Sequence, residues 1–242
     1  TPYRSTISPS SLYKARCPRC TWLSYWHNFS VPANLVLNQQ LARLQEAFFS
    51  GKPTSAFDSN LQQGKISLFK GKRSSVPLKV NGETTRWAFY GELDFLIEYS
   101  NGSFGVADGK VSTKQDVEGL VSDYSHQLHS YAFMLENPKE GKPIFIETLG
   151  LLQWRIEDTL PEDAPLGFTV MHRYLPIERN DKDFQAFIEK MITVIGYKNG
   201  QEIRHEVCYD VFSADQKADE FKDCMLYDEV HIVVTVESTN GT

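Results

Sequence analysis

Two neighbouring strand-like runs of this chain carry charged side chains where a buried strand would normally carry apolar ones. The runs lie between Gly91 and Gln115, and a tight Asn-Gly turn at 101–102 separates them. Side chains alternate between the two faces of a strand, so Asp108 and Lys110 share one face of the second run. A hairpin of the two runs would bring Asp94 beside that pair at one end of a sheet.

The alternation in the first run predicts an apolar face and an acidic face. The apolar face would hold Trp87, Phe89, Leu93, Phe95, Ile97 and Tyr99, and Asp94 would lie opposite it with Glu92. Carboxylates gathered in a semi-buried place repel each other and lose hydration unless a cation binds them. Mg²⁺ prefers oxygen ligands, accepts one or two carboxylates and keeps several waters. The pattern therefore predicts a divalent-metal site, although an ordinary surface ion pair of Asp108 and Lys110 is an alternative.

Helix-like and strand-like segments alternate along the rest of the chain and predict an α/β protein. We expect helices from near Ser8 to Trp26 and over 33–51, 116–137, 181–200 and 213–226, and strands over 142–158, 166–177 and 229–237, besides the strands and Asn-Gly turn of 65–99. The expected core side chains of the helix at 33–51 are Leu35, Leu37, Leu41, Leu44 and Phe48. The aromatic residues Trp22, Tyr25, Trp26 and Phe29 are also expected in the core.

Length and charge limit the class of protein. The 242 residues permit one large domain or two small ones, and the formal net charge of −6 is not that of a protein that coats nucleic acid. No apolar run approaches the roughly 20 residues of a transmembrane helix. Four cysteines in a chain of this size do not indicate a secreted disulfide scaffold. We therefore expect a cytoplasmic or nucleoid-associated protein without a membrane partner.

Three short motifs in this chain follow one another in a characteristic order. The stretches "GELDFL", "VADGK" and "HQLHSY", all within residues 87–135, resemble the G-x-x-D, (D/E)-x-K and Q-x-x-x-Y motifs of the PD-(D/E)xK nuclease superfamily. The branch that they resemble is the RecB-type group, which includes nuclease domains of recombination helicases and CRISPR-associated iron–sulfur nucleases. The stretch "SPSSLYKARCPRCTWLSYW" is similar to the N-terminal helix of that branch.

The resemblance implies a restriction-endonuclease-like core, with a mixed central β-sheet flanked by α-helices. It implies a single domain over 1–242, composed of N-terminal helices at 1–50, a catalytic core at 60–200 and a C-terminal segment at 201–242. The implied activity is hydrolysis of DNA phosphodiester bonds with Mg²⁺ or Mn²⁺, in DNA repair, recombination or phage and defence processing. Other repair, recombination or phage proteins are the expected protein partners.

The resemblance also assigns roles to individual residues. The metal ligands would be Asp94, Asp108 and the backbone carbonyl of Gly109. Lys110 would position the attacking water or stabilise the transition state, and Gln127 and Tyr131 would line the site. The catalytic set is then Asp94, Asp108, Lys110, Gln127 and Tyr131.

The chain departs from this branch in an early helix, where the branch usually places a His or Glu ligand. The matching helix has no His; Glu46 is a weak candidate, Gln40 is a weaker one, and an exposed glutamate is the favoured interpretation. A DNA-binding or complex-assembly module with weak or no activity therefore stays open as an alternative. So does an unrelated metal-dependent hydrolase.

Three further groups of residues have candidate roles: a basic stretch, two histidines and four cysteines. Lys70, Lys72 and Arg73 belong to the one dense basic stretch of the sequence and are candidates for phosphate contact, with a solvated loop as the alternative. His126 and His129 flank Gln127 and are expected on a solvated helix face. The sequence has four cysteines: Cys17, Cys20, Cys208 and Cys224. They could converge on an Fe–S cluster or a zinc ion, but four separate thiols are the favoured interpretation.

Overall fold

The structure is a computed structural model that describes Arg4 and residues 6–28, 36–112, 114–156 and 170–196. Within these ranges lie four α-helices: α1 (Pro18–Trp26), α2 (Val36–Phe49), α3 (Val117–Glu136) and α4 (Asp181–Gly196). The strands are β1 (Gly64–Leu68), β2 (Arg73–Ser74), β3 (Lys79–Val80), β4 (Glu83–Thr84), β5 (Tyr90–Gly91), β6 (Phe95–Tyr99), β7 (Phe104–Val111), β8 (Ile146–Ile156) and β9 (Val170–Ile177). Two 3₁₀ helices span Pro9–Arg16 and Thr54–Ala56.

Five of the strands form one mixed sheet in the order β1-β6-β7-β8-β9. β7 and β8 are parallel and are connected through α3, whereas the other neighbours in the sheet are antiparallel. Helices cover both faces of the sheet. Val106 and Leu151 pack with Leu128 of α3 on one face, and Ala107 packs with Phe49 of α2 on the other. The chain is therefore an α/β protein whose central mixed sheet is flanked by helices.

Local sequence signals place several elements as predicted. The Asn-Gly turn joins β3 and β4 with φ of 50° at Asn81 and 82° at Gly82, which is the left-handed region that such a turn requires. α3 begins after Asp116, whose side chain accepts the backbone N–H of Gly119 at 3.0 Å as an N-cap. The predicted helix at 213–226 and strand at 229–237 lie outside the described residues.

The N-terminal helix is split where one helix was expected. The 3₁₀ helix ends at Arg16 and α1 starts at Pro18. Proline has no N–H to donate and fits the first turn of a helix but not its interior, so Pro18 starts a new helix. Trp22 and Tyr25 are buried as predicted, whereas Phe29 lies outside the described residues.

The predicted apolar face of the run from Trp87 to Tyr99 is wrong. The strand is interrupted between β5 and β6, and Leu93 packs with Trp87 on the α3 side of the sheet. Phe95 and Tyr99 pack on the α2 side instead. The interruption reverses the alternation because the backbone between the two strands is not extended, and it places Asp94 at the end of the main sheet.

The predicted apolar stripe of α2 holds at Leu41, which is buried, but is wrong in the second half of the helix. Leu44 and Phe48 are 60% and 51% exposed, and the buried stripe runs through Leu41, Gln45 and Phe49 instead. Both stripes have helical spacing and include Leu41. After Leu41 the buried positions come one residue later than predicted, which is a rotation of about 100° around the helix axis. No helix in the described ranges is long and apolar enough to cross a membrane.

Candidate active site at the end of strand β7

The two acids singled out in the sequence meet at the end of the β6–β7 hairpin. Phe95 pairs with Ala107, and this register places the preceding Asp94 beside Asp108. The backbone N–H of Gly109 donates a hydrogen bond of 2.8 Å to Oδ2 of Asp94. The hairpin therefore brings Asp94, Asp108 and Gly109 together across two strands.

Asp108 is buried and is held on both of its carboxylate oxygens. Asp108 is only 1% exposed, and its Oδ2 forms an ion pair with the ammonium group of Lys110. Oδ1 accepts a hydrogen bond of 2.9 Å from Nε2 of Gln127, which also donates to the hydroxyl of Tyr131 at 2.8 Å. Gln127 and Tyr131 are one turn apart on α3 and thus act on Asp108 as a unit.

The charges of this group perturb one another. Burial and, next, the negative charge of Asp108 raise the pKa of Asp94 to about 7, while Lys110 and the Gly109 N–H oppose the rise. Burial lowers the pKa of Lys110, but the carboxylates of Asp108 and Asp94 outweigh it and the net shift is upward. Lys110 is therefore a fixed cation, and a second cation beside the two carboxylates would relieve the repulsion that raises the pKa of Asp94.

Two tyrosines of α3, Tyr131 and Tyr124, lie beside the charged residues of the candidate site. Burial, followed by the charges of Asp108 and Asp94, raises the pKa of Tyr131, so this phenol stays protonated. The Lys110 ammonium lies 5.0 Å from the ring centroid of Tyr124, within the range of a cation–π contact.

Sequence reasoning missed Gln45, which approaches the site from α2. Gln45 is 1% exposed, and its Nε2 donates to the backbone carbonyl of Leu152 at 3.1 Å. A Cβ at position 109 would lie 2.9 Å from Cδ of Gln45 and closer still to Oε1, so only glycine fits between this side chain and β7. A polar residue in the middle of the stripe from Leu41 to Phe49 was the signal that could have found it.

Glu46, the weak candidate for a further ligand, lies near the acids but is not gathered with them. It is partly buried, and its negative charge contributes to the raised pKa of Asp94. The described residues contain no group of three or more His, Cys, Asp or Glu side chains placed to hold a metal ion. Gln40 is exposed.

The two-carboxylate arrangement still fits a magnesium-type ion. Such an ion is commonly held by one or two carboxylates and completes its shell with water. Asp94 and Asp108 supply that pair. Oε1 of Gln127 is a buried acceptor without a hydrogen-bond donor in the described part of the chain, so this atom can still accept a hydrogen bond.

The basic residues Lys70, Lys72 and Arg73 lie next to the segment that carries Asp94. All three are exposed. The backbone N–H of Phe69 donates to the carbonyl of Asp94 at 3.3 Å, and Arg73 pairs with Gly91 in the β2–β5 ladder. The basic segment is thus attached directly to the chain that enters the site.

The two histidines that flank Gln127 both pack against α4. His129 was expected on a solvated face but is buried, where Nε2 accepts the backbone N–H of Asn180 at 2.8 Å; this expectation was wrong because α4 packs against that side of α3. His126 stacks on Phe187 with ring centroids 3.8 Å apart.

Cys17 and Cys20 are buried, and Cys17 Sγ caps α1 by accepting the Cys20 backbone N–H at 3.4 Å. Cys208 and Cys224 lie outside the described residues.

No model of a protein family matches this chain, and no curated protein matches it. Among solved structures, the crystal structure of SSO0001 is similar to 79% of this chain and 77% of its own, with a TM-score of 0.49 and 15% sequence identity. A similarity of this size assigns no function to the chain.

Proposed function

We propose that this protein is a divalent-metal-dependent nuclease that hydrolyses phosphodiester bonds of DNA. The observation that carries the proposal is the convergence of Asp94, Asp108 and Lys110 at the end of β7. Two carboxylates and an ammonium group at one end of a hairpin are the groups that metal-assisted phosphodiester hydrolysis needs. Gln127 and Tyr131 add a second argument, because they hold Asp108 from the helix in which the sequence motif predicted them.

The order of elements supports a restriction-endonuclease-like core. α2 precedes the antiparallel strands β1, β6 and β7, and the helix α3 then leads to β8, which is parallel to β7. This order agrees with the core that the motif resemblance implies. The candidate site lies at the β6–β7 end of that core, between α2 and α3.

In this mechanism the residues of the site have separate tasks. Asp94, Asp108 and the Gly109 carbonyl would hold Mg²⁺ or Mn²⁺, which supplies an activated water and stabilises charge on the leaving oxygen. Lys110 keeps its proton and has donor capacity beyond its bond to Asp108, so it can orient a water or bind a phosphate oxygen. Gln127 fixes the orientation of Asp108, and Gln45 fills the space beside Gly109 while it binds the backbone of Leu152.

DNA as the substrate is supported by the exposed basic segment from Lys70 to Arg73. Its position beside Asp94 would bring phosphates of a bound strand toward the acids. Such a local contact is compatible with the net charge of −6, because it needs only the few cations of this segment.

A DNA-binding module without cleavage is the second candidate. The observation that favours it is the direct ion pair of Lys110 with Asp108, which occupies an oxygen that a metal would use. Incubation of labelled single- and double-stranded DNA with the protein in Mn²⁺, Mg²⁺ or a chelator separates the two. We expect cleavage with metal and none with chelator; DNA binding without cleavage in all three conditions would support the second candidate.

A further inference from the structure

A cleft of about 200 Å³ opens on the β8–β9 strands, outside the set of residues assigned to the candidate active site. Its lining consists of Gln153, Arg155, Met171, His172 and Arg173. Two of these five residues are arginines, and no carboxylate is among the described residues that line the cleft. The cleft is therefore suited to an anion.

Arg173 is fixed in place but incompletely paired. Its Nε donates to Oε1 of Gln153 at 2.6 Å, while its Nη2 is buried and has no hydrogen-bond partner in the part of the chain that the structure describes. A buried guanidinium nitrogen without an acceptor is unfavourable, because its hydration is lost and not replaced. Because Arg173 lines the cleft, an anion bound there would stabilise its incompletely paired guanidinium group.

Gln153 is itself held, so Arg173 is not free to turn away. Gln153 is 1% exposed, and its Nε2 donates to the backbone carbonyls of Ser112 and Lys114 at 2.9 Å each. These carbonyls belong to the connection between β7 and α3. The arginine is thus preorganised by a hydrogen-bonded chain that starts just after Lys110.

The strand register places the cleft on the same side of the sheet as Lys110. Lys110 pairs with Gln153, and Gln153 pairs with Arg173, so the three lie in one row across β7, β8 and β9. Arg155 is two residues from Gln153 and shares its face. Neighbouring strands are about 4.8 Å apart, which puts the Cα atoms of Lys110 and Arg173 about 10 Å apart.

We propose that Arg173 and Arg155 bind a phosphodiester group about three nucleotides along the same DNA strand from the bond that lies at Asp94 and Asp108. The proposal rests on the proposed function and adds a second point of attachment for the same strand. Along the axis of a duplex, a separation of about 10 Å corresponds to about three nucleotides of one strand, since each adds 3.4 Å of helix rise. The guanidinium fork suits phosphate oxygens better than an ammonium does, since it offers parallel N–H donors.

Binding without cleavage tests the subsite. The affinity of a fluorescent single-stranded oligonucleotide is measured in chelator at several salt concentrations for the parent chain, Arg173→Gln and Arg155→Gln. Each substitution should weaken binding about tenfold, the effect of losing a charged hydrogen bond. Each should also reduce the slope of log affinity against log salt by about 0.7, the value for one phosphate contact on a single strand.

The matched control is Lys142→Gln, which removes the same charge. Lys142 is exposed and precedes β8, at the opposite end of β7 from Lys110, so its substitution should leave affinity and slope unchanged. Arg155→Gln keeps the test valid if Arg173→Gln unfolds, because Arg155 is exposed and does not hold Gln153.

The outcomes separate this subsite from the proposed function. If the parent binds and cleaves DNA while both arginine variants bind like the parent, the subsite is wrong and the function stands. If the parent neither binds nor cleaves DNA, the proposed function fails and the subsite with it. The last measurement compares the melting temperature in sodium phosphate with that in sodium chloride at equal ionic strength. If phosphate stabilises the parent but neither variant, while the DNA affinity of the variants is unchanged, the cleft binds a free anion. That result would overturn the contact with the DNA strand.

Discussion

The backbone N–H of Gly109 donates a hydrogen bond of 2.8 Å to Oδ2 of Asp94, and this bond links β7 to the segment that precedes β6. Gly109 lies between Asp108 and Lys110, so one backbone position fixes the distance between the two acids and the lysine. The side-chain amide of Gln45, on α2, occupies the space where a Cβ at position 109 would lie. The geometry of the site therefore depends on residue 109 having no side chain.

Gly109→Ala tests this dependence. The new Cβ would collide with the amide of Gln45 and would lie 3.4 Å from Oδ2 of Asp94, so the Gln45 amide must shift from its bond to the Leu152 carbonyl. We expect a loss of about 1–3 kcal/mol in the free energy of unfolding, as for other overpacked cores, and a loss of metal-dependent cleavage. Urea denaturation and a cleavage assay measure the two effects.

Gly196→Ala is the matched control, because a Cβ there meets nothing within 4 Å. The double variant Gly109→Ala with Gln45→Ser should regain part of the lost stability, since the shorter side chain makes room. A Gly109→Ala protein as stable as the parent would show that Gln45 does not constrain this strand.

Asp94→Asn should change how stability depends on pH. The pKa of Asp94 is raised from 3.8 to about 7 in the folded chain. Between these two pH values the folded state therefore binds more protons than the unfolded state. The free energy of unfolding falls as the pH rises through this range. Asparagine removes that penalty. With chelator present, the variant should be more stable than the parent by about 1–2 kcal/mol at pH 8, with little of this gain at pH 4.

Thermal unfolding at the two pH values measures the difference. Glu140→Gln, at an exposed loop position, serves as the control and should not reproduce the dependence on pH. An Asp94→Asn gain that is equal at pH 4 and pH 8 would mean that Asp94 does not titrate as described.

Gln127→Leu should be more harmful than Tyr131→Phe. Leucine leaves the buried Oδ1 of Asp108 without its donor, and a hydrogen bond to a charged group contributes about 1.5–3 kcal/mol. Tyr131→Phe removes a neutral bond to Gln127 and should lose about 1 kcal/mol. Urea denaturation ranks the two, and the reverse order would show that Tyr131, not Gln127, holds the acid in place.

Charge reversal of the basic segment tests its role in DNA binding. Lys70→Glu, Lys72→Glu and Arg73→Glu together should weaken binding and flatten its salt dependence, because fewer counterions are released. The control reverses three exposed lysines elsewhere, Lys142, Lys182 and Lys190, and should have a smaller effect on affinity and slope. Equal slopes for the two triple variants would remove the basic segment from the DNA path.

Signals that lie within a few residues can be read directly from the sequence. The Asn81–Gly82 turn forms where predicted, and α3 starts at the predicted end of its segment, where Asp116 caps it; both depend on local backbone chemistry. The pairing of β6 with β7 also follows from a short connection. The proximity of Asp94 and Asp108 is therefore predictable from the sequence alone.

Features set by distant contacts cannot be read in this way. The reversal of side-chain faces at Leu93 arises because β5 pairs with β2 and not with the main sheet. The choice between the Leu44 and Gln45 stripes of α2 depends on which face meets β7. Gln45 was missed for that reason, since no local rule places a buried amide beside Gly109.

The rate of Mn²⁺-dependent DNA cleavage by Asp108→Asn, compared with the parent under single-turnover conditions, tests the central claim most directly. Asparagine keeps the size of the side chain but removes the charge that the proposed metal site needs, and circular dichroism verifies that the variant is folded. We predict that the parent cleaves DNA only with metal present and that Asp108→Asn is at least about 100-fold slower, as for loss of a principal electrostatic group in other enzymes. A folded Asp108→Asn protein that cleaves at the parental rate would contradict the assignment of this site.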